Sequence, residues 1–279
     1  MILAIALAII AYYWIVDIQT KAPEKIKSTC ELEIKKFKER NLFIVRPKNQ
    51  EQKKLTILYF HGGSYVAEAT KEHWNFIEKI VNDTKATVIM PDYPLTPKYN
   101  YKDVFNMVEP LYKEIIERIN PSHFVIMGDS AGGGLALALE EKVGQENLPM
   151  PEKTILISPW LDVRLNNPKI EEVQKNDKQL NKETLKLAGI AYAGEEGINH
   201  YLVNPIDGNL SKLKNVTILT GTYDILNPDV HVLKEKAEKI GTTIEVKEYK
   251  QARHIWVIDQ NSSKELEEQA YQDIIDMLK

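Results

Sequence analysis

The sequence predicts an α/β fold with a mostly parallel central sheet and helices on both faces. Short apolar runs rich in Ile and Val alternate with longer stretches of helical periodicity, the pattern of repeated β-α-β units. Several runs are apolar at every position, as expected of parallel strands covered by helices on both sides. The chain has 279 residues, 43% of them hydrophobic, which fits one large domain with insertions better than two equal domains.

The predicted elements follow one another in a regular order. Seven short apolar runs are predicted as strands, and five longer periodic stretches as helices. The last stretch places Ala270, Ile274 and Leu278 at four-residue steps, which gives a helix one apolar face. The predicted strands are residues 42–45, 55–60, 86–90, 124–127, 154–157, 216–219 and 243–249, and the predicted helices are residues 73–82, 104–119, 131–143, 229–240 and 264–278.

Two further segments are predicted to form a helical cap on the main domain, residues 41–279. Residues 19–40 are rich in Lys and Glu, and their apolar residues are spaced like one face of a surface helix. Residues 162–205 contain many polar residues, several Pro and Gly, and a helical stretch at 182–192, but no clear strand. We expect this second segment to be an insertion after strand 154–157 that covers one edge of a site.

The N-terminus is far more apolar than the rest of the chain. Residues 1–16 contain no charged or strongly polar side chain, and a helix of that length would measure about 24 Å, against about 30 Å for a hydrocarbon core. We interpret residues 1–18 as a hydrophobic helix that anchors the protein in a membrane. A helix buried against the fold of a soluble cytoplasmic protein is the alternative. If the segment spans a membrane, Lys21, Lys25 and Lys27 favour a cytoplasmic position for the main domain.

Composition argues against several other classes of function. The formal net charge is -4, the charges of both signs are well mixed, and no basic stripe with interleaved aromatic residues is present, so a nucleic-acid partner is not expected. The single cysteine, Cys30, cannot form an internal disulfide. Six scattered histidines without paired cysteines or an H-E-x-x-H pattern predict no metal site.

The strongest local motif is G-D-S-A-G at residues 128–132, between the apolar strand 124–127 and a helix-forming run. Gly128 and Gly132, two positions on either side of Ser130, allow the strained strand-to-helix turn that exposes a serine hydroxyl at the end of a sheet. The start of the following helix also favours developing negative charge. The motif therefore predicts Ser130 as a nucleophile. A glycine-rich helix start without catalytic role is the alternative.

A second glycine motif, H-G-G-S-Y at residues 61–65, also follows an apolar strand. Consecutive glycines let backbone N–H groups point at a ligand oxygen, as an oxyanion hole requires. The amide of Ala131, which follows the candidate nucleophile, is a further candidate donor. The alternative is a tight turn after a strand.

A nucleophilic serine needs a general base and a carboxylate that orients it. His254 lies in the short loop between strand 243–249 and the C-terminal helix, at the edge of the sheet where such folds build their sites. Asp224 likewise follows a predicted strand, and Asp229, which resembles a helix N-cap, is the alternative acid. Of the other histidines, His61 is expected to brace the glycine loop, and the rest to lie on the surface or pack.

Five motifs together resemble the hormone-sensitive-lipase-like branch of the α/β-hydrolases, which includes bacterial acetyl esterases. In chain order they are H-G-G-S-Y, P-D-Y-P-L-T-P, G-D-S-A-G-G-G, S-P-W-L-D and G-T-Y-D-I-L-N-P-D, and His254 follows them. The resemblance covers residues 42–279 and implies a carboxylesterase for short acyl chains, with a small-molecule ester as substrate and without cofactor or metal. It implies a triad of Ser130, Asp224 and His254 and oxyanion donors at Gly62, Gly63 and Ala131.

The chain departs from this family pattern at two positions. Ser64 replaces the third glycine of the usual H-G-G-G loop, which is expected to stiffen the loop. Lys98 stands where the family usually has Glu, so the support of the glycine loop is expected to differ.

The expected reaction is acyl transfer in two steps through an acyl-enzyme. Three aromatic residues near the motifs, Tyr65, Trp160 and Trp256, are candidates for the wall of the substrate pocket, with packing in the core as the alternative. Two other functions remain open: a non-catalytic small-molecule-binding protein on the same fold, and amide or peptide hydrolysis by the same triad.

Overall fold

A computed structural model of the chain describes residues 17–48 and 54–279. All seven predicted strands are found in it, each within two residues of its predicted ends, and one strand precedes them. The strands of the described chain are β1 Cys30–Phe37, β2 Arg40–Pro47, β3 Thr56–Phe60, β4 Thr87–Pro91, β5 Phe124–Asp129, β6 Lys153–Ile157, β7 Val216–Gly221 and β8 Ile244–Tyr249.

These strands form one sheet in the order β1-β2-β4-β3-β5-β6-β7-β8. Strands β3 to β8 pair in parallel, whereas β1 and β2 are antiparallel at one edge. The carboxyl ends of six strands therefore lie at the same edge of the sheet. The loops that leave those ends are brought together there, which is where open parallel sheets carry their sites.

The five helices predicted between the strands and at the C-terminus, and the helical stretch predicted at 182–192, are also present, each within three residues of its predicted ends. They cover both faces of the sheet, because Leu58 and Ile126 belong to one apolar core and their neighbours Ile57 and Val125 to another. The predicted α/β class with a mostly parallel sheet is confirmed. The helices of the described chain are α1 Ile26–Thr29, α2 Lys71–Thr84, α3 Tyr101–Ile116, α4 Ser130–Gln145, α5 Ile170–Val173, α6 Lys182–Ala193, α7 Asn227–Lys239, α8 Trp256–Asp259 and α9 Lys264–Met277.

The helix predicted over residues 19–40 is wrong. This segment contains only the four-residue helix α1 before strand β1, which pairs with β2. Its apolar residues Cys30, Leu32 and Ile34 recur at every second position, the period of a strand, and Leu32 lies opposite Val45 of β2. The Lys and Glu residues between them lie on an edge strand, where charge opposes pairing with other chains.

The predicted membrane segment, residues 1–16, lies outside the described residues. Asp17 and Ile18, which the prediction included, are not helical, and both contact Arg40: the guanidinium pairs with the Asp17 carboxylate and donates to the Ile18 carbonyl. Within residues 17–48 and 54–279, none of the helices combines the length and the hydropathy needed to cross a bilayer.

The predicted insertion, residues 162–205, contains α5, α6 and the start of a short 3₁₀ turn at Pro205–Asp207, and no strand. Its two ends are tied together, because the Val163 amide donates to the Asn204 side chain at 2.9 Å. The insertion thus leaves the sheet after β6 and returns before β7, beside the carboxyl ends of both strands.

Helix α4 carries two carboxyl groups into the core. Glu140 and Glu141 are fully buried, and their carboxyl oxygens make no hydrogen bond of good geometry within the described residues, although Thr154 and the Lys214 backbone lie close enough to Glu140 to offset part of the cost of burial. A charged carboxylate is costly in such a place, so burial raises the pKa of Glu140 to about 7 and that of Glu141 well above its usual value. Both groups therefore keep their protons in the folded protein under mildly acidic conditions.

We expect Glu140→Gln to stabilise the protein progressively, relative to the parent, as the pH rises. Glu140 ionises near 4.5 in the unfolded chain but holds its proton to a pKa of about 7 in the folded one, so the parent loses stability between these values. Since Gln cannot ionise, the difference in free energy of unfolding should grow by roughly 2–3 kcal/mol between about pH 5 and pH 8. Urea unfolding at both pH values measures it.

The exposed Glu235 of α7 provides the matched control. Glu235→Gln should follow the parent at both pH values. If Glu140→Gln differs from the parent by the same amount at pH 5 and pH 8, the Glu140 carboxyl is not the buried acid described above.

Candidate active site

Ser130 occupies a sharp turn between β5 and α4. Its φ is 52°, in the left-handed region that strains a residue with a side chain. The chain passes so close to itself here that a Cβ on Gly128 would lie 2.4 Å from the Gly132 carbonyl oxygen, and a Cβ on Gly132 would lie 2.1 Å from that of Phe60. The two glycines are therefore required for the turn that carries the serine.

The turn brings Ser130 to His254 and Asp224. The Ser130 Oγ lies 2.9 Å from His254 Nε2, and His254 Nδ1 lies 2.8 Å from Asp224 Oδ2. Ser130 and His254 are each 4% exposed, and Asp224 is fully buried. These residues come from the ends of β5, β7 and β8, so the parallel sheet itself assembles them.

The surroundings define the protonation state of His254. Asp224 can only accept, so Nδ1 carries the ring proton and Nε2 is left to accept from the Ser130 hydroxyl. Burial by itself lowers the pKa of His254, but the Asp224 carboxylate outweighs it, and the net pKa is raised. The arrangement thus combines a hydroxyl, a base and a carboxylate that stabilises the imidazolium once the proton has moved.

The alternative acid Asp229 lies elsewhere. Its Oδ1 accepts from the Asn167 side chain at 2.9 Å, and burial raises its pKa to about 6. Asp224 also accepts the Leu226 amide on its other carboxyl oxygen, which fixes its orientation toward His254. All six histidines lie in the described part of the chain, and only His254 has a ring nitrogen within hydrogen-bond distance of the Ser130 hydroxyl.

The glycine loop differs from the prediction at Gly62. Its amide donates to Asp129 Oδ2 at 3.0 Å, so it is not available as an oxyanion donor. The amides of Gly63 and Ser64 donate to no acceptor within the described residues, and the loop at Gly63 has φ +119. The amide of Ala131 lies in the first turn of α4, where N–H groups have no partner inside the helix.

His61 braces this loop. Its ring stacks on Tyr93 with 4.5 Å between centroids, and Tyr93 Oη donates to the His61 carbonyl at 2.6 Å. The His61 Nδ1 lies 2.6 Å from the Gly62 carbonyl and can donate to it. Burial lowers the pKa of His61 to about 4, so the ring is neutral and supports the loop without adding charge.

Lys98, the second departure from the family pattern, lies against the Tyr99 ring, with its Nζ 5.3 Å from the ring centroid.

Asp129 links the turn that carries Ser130 to the glycine loop, a structural role that the resemblance to the family implies for this motif position. Besides the Gly62 amide, it accepts from the Tyr59 hydroxyl and from His73 Nε2, the latter at 3.1 Å. His73 was expected on the surface or in packing, but it is 3% exposed, and its Nδ1 accepts the Thr70 amide at the start of α2. Strand β3 and helix α2 thus hold the carboxylate that orients the loop.

The three aromatic candidates separate into two groups. Tyr65 stacks face to face on Tyr192, with 3.5 Å between centroids, and also on Trp160, whose amide donates to the Ser130 carbonyl at 2.8 Å. Trp256 does not fit a pocket wall: it is fully buried beneath α9, where its indole Nε1 donates to the Leu266 carbonyl. Tyr65 and Trp160 therefore stay close to Ser130, whereas Trp256 packs the core.

Two known proteins with sequences similar to this chain are named as hydrolases. An esterase from Acinetobacter venetianus is 30% identical over 204 residues, which are 69% of this chain and 64% of the relative, so the chain matches less than two thirds of that protein's length. An acetyl-hydrolase from Streptomyces hygroscopicus is 27% identical over 213 residues, 76% of this chain and 71% of the relative.

Solved structures agree with the fold. The crystal structure of a proposed esterase from Staphylococcus aureus has a TM-score of 0.86 and 25% identity, covering 93% of this chain and 86% of that one. A hormone-sensitive lipase from a metagenome library has a TM-score of 0.82 and covers 91% of this chain and 88% of its own; at 23% identity this likeness shows the fold alone. A family model described as alpha/beta hydrolase fold matches residues 57–258, which confirms the resemblance inferred from the motifs. The chain belongs to the α/β-hydrolase fold family.

Proposed function

We propose that the chain is a serine carboxylic-ester hydrolase that forms an acyl-enzyme on Ser130. The observation that supports this best is the continuous hydrogen-bonded series from Ser130 Oγ through the His254 ring to Asp224, with distances of 2.9 Å and 2.8 Å. The left-handed backbone at Ser130 brings its hydroxyl to His254, which is consistent with a nucleophile. The names of the relatives, an esterase and an acetyl-hydrolase, agree with this function.

In the acylation step, His254 Nε2 takes the proton of Ser130 as its oxygen attacks the ester carbonyl. The carbonyl π-bond becomes a C–O⁻ single bond, and the amides of Gly63, Ser64 and Ala131 are the donors available for that oxyanion. The tetrahedral intermediate collapses, the ester C–O bond breaks, and the proton on His254 passes to the departing alkoxide. The products of this step are an alcohol and an ester on Ser130.

Deacylation repeats the same chemistry with water. His254 accepts a proton from the water, which attacks the acyl carbon, and then returns the proton to Ser130 as the acid is released. Throughout, the Asp224 carboxylate accepts from His254 Nδ1 and stabilises the imidazolium, and the Leu226 amide holds that carboxylate in place.

We propose short acyl chains as the substrates. Tyr65, Trp160 and Tyr192 form a buried stack, and the stack is tied to the Ser130 backbone because the Trp160 amide donates to the Ser130 carbonyl at 2.8 Å. Such a stack fills space close to Ser130 and limits the room for an acyl chain. The Streptomyces relative is named an acetyl-hydrolase, which is consistent with a small acyl group.

Turnover of p-nitrophenyl acetate, butyrate and octanoate tests this function. We expect kcat/KM for octanoate to fall about tenfold or more below that for butyrate, since extra methylenes that find no room lose binding in the transition state. Hydrolysis of p-nitroacetanilide, the amide matched to the acetate ester, separates ester from amide hydrolysis. Absence of turnover on all three esters would favour the binding-protein alternative, and a preference for octanoate would contradict the short-chain proposal.

A further inference from the structure

A short turn of the insertion, residues 177–180 between α5 and α6, contacts the loop that carries the acid. The Asp177 side chain is 4% exposed, and its Oδ2 accepts the amide of Ile225, the residue after Asp224, at 3.0 Å. Its other oxygen, Oδ1, accepts the amides of Gln179 and Leu180 at 2.9 Å and 3.0 Å. One carboxylate thus closes its own turn and holds the backbone beside the acid.

The same turn also contacts the segment that carries the base. Gln179 Nε2 donates to Asp259 Oδ2 at 2.8 Å, and Asp259 ends helix α8, which begins two residues after His254. The contacts to Ile225 and Asp259 therefore join the insertion to both loops of the His–Asp pair. They come from different side chains, so each can be removed separately.

We propose that Asp177 is a positioning residue, which holds Asp224 in place against His254 and couples the insertion to catalysis. The inference rests on the proposed ester hydrolysis at the same site. An aspartate is needed because its two oxygens accept on opposite sides, from the turn and from Ile225. Asparagine has the same shape but only one acceptor oxygen, so it must leave one of these contacts unmade.

Asp177 also belongs to the charges that surround the base. Burial lowers the pKa of His254, the Asp224 carboxylate raises it most, and Asp177 adds to the rise. Removing the charge of Asp177 destabilises the imidazolium and shifts the acidic limb of the pH–rate profile toward lower pH. Within the described part of the chain, the ionisable groups that act on the His254 ring include Asp224 from the β7–α7 loop, Asp177 from the insertion, Asp129 from the end of β5, and Asp259 from α8.

The test compares Asp177→Asn with Asp229→Asn. Asp229 is a buried aspartate that also contacts the insertion, through Asn167, but it uses only one oxygen and lies apart from His254, so asparagine can preserve its contact. We expect Asp177→Asn to lower kcat on the order of tenfold with little change in KM, because a small displacement of a triad member affects the reaction more than binding. Asp229→Asn should keep the parental kcat and acidic limb.

Two further variants separate charge from position. Asp177→Glu keeps the negative charge, so the acidic limb of its pH–rate profile should lie at the same pH as in the parent. Gln179→Ala removes the contact to Asp259 but no charge, so it should lower kcat and leave the pH of the acidic limb unchanged. Thermal unfolding of each variant shows whether the fold is intact. A folded Asp177→Asn enzyme with the kcat and the acidic limb of Asp229→Asn overturns the inference.

Titration of the His254 imidazole by NMR, on protein labelled with ¹⁵N-histidine, needs no substrate. The resonance should titrate at lower pH in Asp177→Asn than in the parent, and an unchanged titration overturns the electrostatic part of the inference. If the parent hydrolyses no ester while this shift is present, the proposed function fails and the link between Asp177 and His254 stands.

Discussion

Ser130→Ala should lower kcat/KM for p-nitrophenyl butyrate by about 10⁴-fold or more. The substitution removes the hydroxyl oxygen that lies 2.9 Å from His254 Nε2, and with it the proposed acyl-enzyme route. The remaining rate would come from the oxyanion donors and substrate binding alone. Initial rates at saturating and subsaturating ester, with protein concentration measured by absorbance, give kcat/KM for the parent and for the variant.

The loss must come from chemistry and not from unfolding. Alanine retains the strained turn, so Ser130→Ala should unfold at about the parental temperature. Ser211→Ala, the same substitution at an exposed serine, should keep full activity. A serine-directed sulfonyl fluoride should add to the parent and not to Ser130→Ala, as seen by mass spectrometry. Activity of Ser130→Ala equal to that of Ser211→Ala would remove Ser130 from the mechanism.

Asp224→Asn should lower kcat on the order of 10⁴-fold while leaving the fold in place. The asparagine amide can donate to His254 Nδ1, which moves the ring proton to Nε2, the atom that has to accept from Ser130. The base is then in the wrong tautomer for the first step. The measurement is kcat on the preferred ester across the neutral pH range, together with thermal unfolding.

Asp229→Asn provides the comparison, because both aspartates follow β7 and both are buried. The sequence alone left Asp229 open as the acid. Asp229 instead pairs with Asn167, so its variant should retain activity close to that of the parent. A larger loss in Asp229→Asn than in Asp224→Asn would reverse the assignment.

The apolar runs made most of the sheet predictable. A strand such as β5, buried at every position between β3 and β6, leaves a continuous apolar signature. Strand β1 has no such signature: it lies at the edge, its outward positions are Lys and Glu, and Ile34 is 51% exposed. Its alternation is short, so the apolar residues within 19–40 also fit one face of a surface helix, and the sequence pattern alone does not distinguish the two.

The site was predictable where the sheet determines it. Ser130, Asp224 and His254 each follow a strand, and parallel strands bring their ends together. The hydrogen-bond partner of the Gly62 amide was not predictable, because the carboxylate that accepts from this amide belongs to Asp129 on a neighbouring strand. His73 and Asp177 were missed for a related reason: each reaches the site from a helix start or a turn distant in sequence, with no motif to mark it.

The position of β5 inside the sheet has a consequence for how the protein can change over evolution. The strand that leads to Ser130 has neighbours on both sides, so it cannot open without breaking pairings to β3 and β6. The 162–205 insertion contributes no strand to that sheet. Substitutions in its outer parts therefore leave the pairings of β5 intact. Under the proposed function, substrate preference can then change while the strand that leads to Ser130 keeps its place.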